Sequence, residues 1–561
     1  NALFEEKLLL KNQKAGIQKW IRQVQGTDPK IVKTMEDQVL SLDRALSPND
    51  ARTFLGDLTR KKLHIDVSHE EAKKVFDAAK VTSDLKTKMI QAEGTPGEKK
   101  ARMAWGNSQL DLDDLVESMK PGGRTWVQKV ADVSEIPRSF QTGVGHMSSI
   151  AVQLLGTIST QEFWKAIPNM VRYMAKEENY RDLQASIISD KYYQQIKSSG
   201  LIMNDLGTTL STRDEELPSS IPEQINQIAQ DLTGGRIPNI WRASGRGFVG
   251  SQNFVKFNLM KRFVVASELA GGDTRVGSQN LKDIANAIND FTGKAQIGAG
   301  DKYANMSPLL NSIFYSFRKE VANFNVLNPY QYLKPQSATA RYIRFRLFVG
   351  ASISLGAILA LYSSAGYKVS TNPLHEDFLK PVSNDGTKFE TLDGFPSVIR
   401  LYARLLTGRK IASDGTETEF ADSLPGASLV GMENTLVGHE VKFGPNGEPI
   451  DIGKGFPETR AGLIWQFQRA KLAPLASWIT DLFVGSDPVG GEPTFKHEAY
   501  EHISPIFFKQ ILDHLYSNPE DAQAYIPALT TLAGVGMQSP LPPMTKSGLT
   551  VWGDDDDAPL W

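Results

Sequence analysis

The chain has 561 residues, 62 basic against 64 acidic side chains and a formal charge of −2, so no overall field marks it as a nucleic-acid binder and any DNA contact must be local. Its 40% hydrophobic and 9% aromatic content excludes a disordered scaffold, and its length exceeds one compact core. Cysteine is absent, which removes disulfides, thiolate nucleophiles and cysteine-type zinc sites together.

No basic-then-apolar signal follows Asn1, so a processed product or the ordered part of a longer chain is expected. Residues 1–130 are charged and helical in period. Ser47-Pro48-Asn49-Asp50 supplies a cap with proline at the first helical position, and Ser68 with Glu71 reads as a capping box. Glu93-Gly94-Thr95-Pro96-Gly97-Glu98 reads as a loop or a joint. In 131–270 the helical reading continues: Ser220 and Pro222 open a helix bearing Ile225, Ile228 and Leu232, ended by Gly234-Gly235. A helix over 253–269 carries Phe254, Phe257, Phe263 and Val264, a stripe that burial preferences assign to core.

Within 271–369, Leu310, Phe314, Phe317, Val321 and Phe324 recur at intervals of three and four, predicting an amphipathic helix over 309–327 with that face buried. Ser307-Pro308 would start it and Asn328-Pro329 stop it. In 370–455, Asn384-Asp385-Gly386, Asp414-Gly415 and Pro445-Asn446-Gly447 are turn signals for small hairpins, with a helix from Pro396 to Leu406 ended by Gly408 between them. Helix returns at Arg460, Asn518-Pro519 reads as a cap, and Asp554 to Asp557 form an acidic tail. The pattern predicts a mainly α, elongated, multi-subdomain protein: helical regions at 1–130, 131–270 and 271–369, a hairpin-containing insert at 370–455, and a helical region with an acidic tail at 456–561.

The most apolar uncharged run lies between Arg346 and Lys368. Two rivals compete less well: 139–161 is richer in small polar residues, and 522–545 is broken by Pro527, Pro540, Pro542 and Pro543. As a helix the run would span about 30 Å, the thickness of a hydrocarbon core, yet serines and glycines leave a dense apolar stretch of only about 16 residues. Ser352, Gly356 and Ala360 follow the small-xxx-small pattern that lets helices approach closely. Leu347, Phe348, Ile353, Leu355, Gly356, Ile358, Leu359 and Leu361 thus form either a buried packing helix, the readier reading, or a segment that meets a membrane. Arg341, Arg344 and Arg346 at its start suit headgroup or phosphate contact, or a solvated helix end.

Catalytic signals are missing. No phosphate-loop pattern is present, and Gly293-Lys294 with Gly298-Ala299-Gly300 reads as a flexible joint between helices. His497 and His502 stand five apart, which on a helix separates them by roughly 140°, too far for one metal. No catalytic residue, cofactor or metal is expected.

Several segments are similar, in order, to the C-terminal region of very large bacteriophage proteins, the internal virion proteins and the polyvalent proteins that share their domains. They are Asp132 to Gly143 (DVSEIPRSFQTG), Phe163-Trp164, Asn289 to Lys294 (NDFTGK) with the aromatic helix from Leu309, and Asp377 to Pro381 (DFLKP). Gly394-Phe395, Arg404 to Lys410 (RLLTGRK), Arg469 to Leu475 (RAKLAPL), Asp481-Leu482, Gly491 to Pro493 and Gly534 to Gln538 (GVGMQ) complete the series. The resemblance implies a structural virion protein, not an enzyme, packaged near the portal and ejected with the genome to help DNA cross the host envelope. It implies a homo-oligomer, portal or other internal virion proteins as partners, contact with packaged phage DNA, and a host membrane after ejection. Its location would be the virion interior or portal and tail region, then the host envelope. Two alternatives stand beside it: a static portal- or tail-lumen component, and a lytic or nuclease enzyme, for which no motif speaks.

Overall fold

The computed structural model describes residues 7–14, 69–118, 154–203, 240–298, 316–384, 386–390, 394–420 and 460–469, strands at 442–443, 449–450 and 536–538, and a few single positions. The helix starts expected at Ser47 and Ser220, the His497 to His502 segment, the Asn518 cap and the acidic tail lie outside the described residues. Helices dominate and the strands are short, as the sequence pattern predicts.

Helix α1 (His69–Gln91) begins one residue after Ser68, and α2 (Glu98–Ser118) returns along it. The loop between them turns at Gly94, φ +76°, whose N–H donates to Glu98 Oε2 at 2.8 Å. That bond and Arg102 hold the Glu98 carboxyl below its ordinary range. Where α2 crosses α4 (Glu177–Ile188), a Cβ added at Gly106 would lie 2.5 Å from the Ala185 carbonyl oxygen, so only glycine permits the crossing.

The centre is α6 (Ile240–Leu269), which starts well before the predicted Asn253. Its glycines are notches: Gly247 receives Met174, and Gly250 receives Tyr173. Tyr173 and Met174 lie on α3 (Gln161–Ala175), which follows a 3-10 turn at Leu155–Thr157. Phe257, Phe263 and Val264 of α6 are buried, placing the predicted stripe in the core. Short α5 (Tyr193–Ser198) and α7 (Gln279–Phe291) pack beside α6.

In the loop joining α6 to α7, Arg275 Nε and Nη2 donate to Asp273 at 2.9 and 2.8 Å and hold its carboxyl down to about 2. The sign follows from linkage. The native carboxyl binds its proton less readily than the unfolded one, so the stabilisation is complete above the unfolded value of about 3.9 and is lost as pH falls toward 2. Carboxyl NMR titration should place Asp273 near that depressed value in the native chain, and move it only part of the way back to the ordinary range in Arg275→Gln, because the residue 275 N–H still donates to Asp273 Oδ1.

Helix α7 buries Leu281, Ile284, Ala285, Ile288 and Phe291, and the chain stays buried from Ala287 through Ala295. Gly293-Lys294 is therefore no flexible joint. The αL turn at Gly293, φ +68°, folds the chain back so that Lys294 N–H donates to Asn289 O at 2.9 Å. Asn289 Oδ1 accepts from Ile202 N–H and its Nδ2 donates to Gly200 O, both at 3.0 Å, tying in the segment after α5.

Of the predicted 309–327 helix, the stretch from Phe317 to Leu327 (α8) is helical, as are the single positions Leu310 and Ile313 before it, and the expected start at Ser307-Pro308 lies outside the described residues. Before α8, Phe314 forms an isolated bridge with Leu472. The buried face differs: Arg318, Ala322, Asn323 and Val326 are enclosed, while Phe317, Val321 and Phe324 are half-buried. Arg318 Nη1 donates to Ala295 O at 3.0 Å, which accounts for a cation on the inner side. Phe324 packs edge-on against Tyr402 and Phe467, so α8 is covered on both sides.

After α9 (Tyr330–Leu333) comes α10 (Ala338–Ser364), then an antiparallel sheet of β1 (Lys368–Val369), β2 (Pro381–Val382) and β3 (Lys388–Glu390). Helix α11 (Phe395–Thr407) ends at Gly408, φ +70°, as predicted. Hairpins β4 (Arg409–Ile411) with β5 (Glu417–Glu419), and β6 (Lys442–Phe443) with β7 (Pro449–Ile450), fall on the two later turn signals. Helix α12 (Arg460–Arg469) follows, and Arg460 Nε donates to Leu405 O at 2.7 Å, capping α11. Strand β8 (Gly536–Gln538) pairs with β3, Met537 opposite Phe389.

One buried cluster joins Trp105 of α2, Leu183 of α4, Phe263 of α6, Ile284 of α7, Val326 of α8 and Leu347 of α10. Residues from the expected 1–130, 131–270 and 271–369 regions thus share a core. A second cluster contains Leu155, Phe163, Ala166, Met170, Val255 and Ala351, with Leu355, Ile358 and Leu359 packed against it.

Candidate functional site

The uncharged run folds as the second half of α10, a 27-residue helix. Its start is fixed twice: Ser337 Oγ accepts from Ala340 N–H at 3.1 Å, and Ser337 N–H donates to Asp283 Oδ2 of α7 at 2.7 Å. Further along, Arg344 is 1% exposed and places Nη1 2.7 Å from Asp290 Oδ2. Asp290 Oδ1 accepts from Asn325 Nδ2 at 2.8 Å, so α7, α8 and α10 meet at one carboxylate. Burial pushes the Asp290 carboxyl up, while the Arg344 charge pulls it back.

Arg344 is thereby withdrawn from the headgroup or phosphate contact assigned to it with Arg341 and Arg346. A guanidinium enclosed this deeply faces a protein carboxylate, and Arg341, three residues back, does not share its burial. Arg341 and Arg346 are exposed, and Arg346 Nη1 donates to Tyr342 Oη at 3.3 Å.

Beyond this pin the two faces of α10 diverge. Leu347 and Ala351 are buried, and Leu355, Ile358 and Leu359 are half-buried against the second cluster. At Gly350 an added Cβ would lie 2.2 Å from Ser159 Oγ and 2.6 Å from Ser159 Cβ, marking close contact with the segment before α3. Tyr362 meets Tyr367 and Phe389, which ties the helix end to β3. On the other face Phe345, Phe348, Ser352, Ile353, Gly356, Ala357, Ala360 and Leu361 are exposed, Ile353 at 68% and Leu361 at 69%. A Cβ added at Gly356 would meet nothing within 4 Å, and Ser352 and Ala360 on the same stripe are exposed among the described residues.

A core helix of a soluble domain passes the same length and composition test as a membrane span but is mostly buried. Here 17% of the apolar window is buried. The packing expectation thus describes one face, and the other carries apolar side chains to the surface.

Elsewhere, Lys388 Nζ donates to Ser413 Oγ at 2.8 Å, a juxtaposition that in other settings activates a serine. Lys388 Nζ also lies 2.7 Å from Asp377 Oδ1, an ion pair that makes it a structural link. The cluster clasps the hairpins together. Among the described residues no group of three or more His, Asp or Glu could hold a metal ion.

Sequence reasoning missed Asp290. One signal was available, because an acid in the last turn of a helix opposes the macrodipole and calls for a partner. The chain matches no protein-family model, no curated protein and no solved structure.

Proposed function

We propose that this chain is a structural internal virion protein of a bacteriophage, packaged near the portal and ejected with the genome, and that α10 is the element that meets the host membrane. The observation that carries the membrane role is the uncovered apolar face of α10, with Ile353 and Leu361 in solvent. Large apolar residues exposed along one helix need a lipid or protein cover. Tyr342 and Arg346 at the start of the run provide the aromatic and cationic flank that suits a membrane interface. The ordered series of segments similar to phage internal virion proteins supports the virion assignment.

Flotation of the purified chain with liposomes tests the membrane role. Ile353→Asp with Leu361→Asp changes only exposed positions, so the unfolding free energy should stay within about 0.5 kcal/mol of wild type while recovery with lipid falls at least tenfold. Equal recovery would reject lipid contact by this face. The buried pin at Arg344 and Asp290 favours a second reading, a static portal- or tail-lumen component. Protein recovered in the infected cell envelope supports ejection; protein retained in emptied particles supports the static role.

A further inference from the structure

We infer that α3 carries a second lipid-binding surface, one selective for anionic headgroups. This rests on the membrane reading of α10 and adds a contact and a lipid class to it. Helix α3 turns Phe163, Ala166 and Met170 into the cluster that also receives the inner face of α10. Its outer face exposes Trp164 at 58%, Ile167 at 38% and Val171 at 47%, with exposed Pro168 and Ala175 on the same side by helical period.

On α3 itself the exposed charges bordering this stripe are all cations. Lys165 and Arg172 are exposed along one edge, and exposed Lys176 caps the end. The only acid in α3, Glu162, is turned inward, where Arg262 Nη1 lies 3.0 Å from its Oε2. Glu177 and Glu178 begin the next helix, and Glu177 is 3.7 Å from Arg246. A tryptophan-bearing apolar stripe edged by cations complements an anionic bilayer surface, where the rings sit at headgroup level and the cations pair with phosphate or carboxylate. A protein groove would have to supply both the greasy floor and an acidic border. An anionic bilayer supplies both by its nature.

The absence of cysteine in the chain permits a clean test. Full-length protein carrying Val171→Cys or Ile353→Cys, each labelled with a polarity-sensitive fluorophore, is mixed with vesicles of phosphatidylcholine alone or phosphatidylcholine with phosphatidylglycerol. The label on Val171→Cys should shift to the blue with the anionic vesicles only, and adding Lys165→Gln and Arg172→Gln should weaken that response about 20-fold. A response at Ile353→Cys without one at Val171→Cys overturns this inference and leaves the α10 reading standing. Silence at both positions overturns both. A shift at Val171→Cys that grows with protein concentration and needs no vesicles overturns it in favour of a second copy of the chain.

Discussion

Asp290→Ala should destabilise the fold by about 3–5 kcal/mol, because it leaves the Arg344 guanidinium enclosed without a counter-charge. It also removes the acceptor for Asn325 Nδ2, a further cost of about 1 kcal/mol. The pair is not an efficient source of stability. Arg344 Nη1 is close to Oδ2 yet outside hydrogen-bonding geometry, and its Nε finds no acceptor. Desolvating both ions is then poorly offset, so Asp290→Leu with Arg344→Met should return most of the lost stability. Urea unfolding of both single variants and the double variant closes the cycle, and strong non-additivity is expected. A loss below about 1 kcal/mol for Asp290→Ala would show that the carboxylate does not hold α10 in place.

The fold was most legible where local chemistry decides it. Helix α11 lies between Gly394 and Gly408, both left-handed, with Pro396 in its first turn. Two hairpins turn at Gly386 and Gly415, φ +87° and +89°, because few residues other than glycine reach positive φ. Legibility failed where a second partner decides the face. Helix α8 has a regular aromatic stripe, but α11 and α12 half-cover that side while the core takes the Arg318, Ala322 and Val326 side. Periodicity counts apolar residues and cannot recognise a buried arginine whose acceptor, the Ala295 carbonyl, belongs to another segment. The candidate site divides in the same way. Length and composition identified α10, whereas the enclosure of Arg344 and the contact of Gly350 with Ser159 depend on residues distant in sequence. Pairing of β3 with β8 is non-local in the same sense.

Gly350→Val should raise the affinity for liposomes about tenfold, the opposite of the change expected for Ile353→Asp. The Gly350 position has no room: its added Cβ would stand 2.6 Å from Ser159 Cβ, a contact that rotation of the serine hydroxyl cannot relieve. Overpacking of this kind costs about 1–3 kcal/mol, and it acts on the docked state of the apolar half of α10 alone, because the pin at Asp290 lies nearer the helix start. If lipid takes the undocked helix, apparent affinity rises by the factor through which undocking becomes more populated. A helix that never leaves its cluster would give a less stable protein with unchanged lipid recovery. Combining Gly350→Val with Ile353→Asp separates the gain from general unfolding: the rise should vanish if the helix itself enters lipid, and persist if a loosened core is merely sticky.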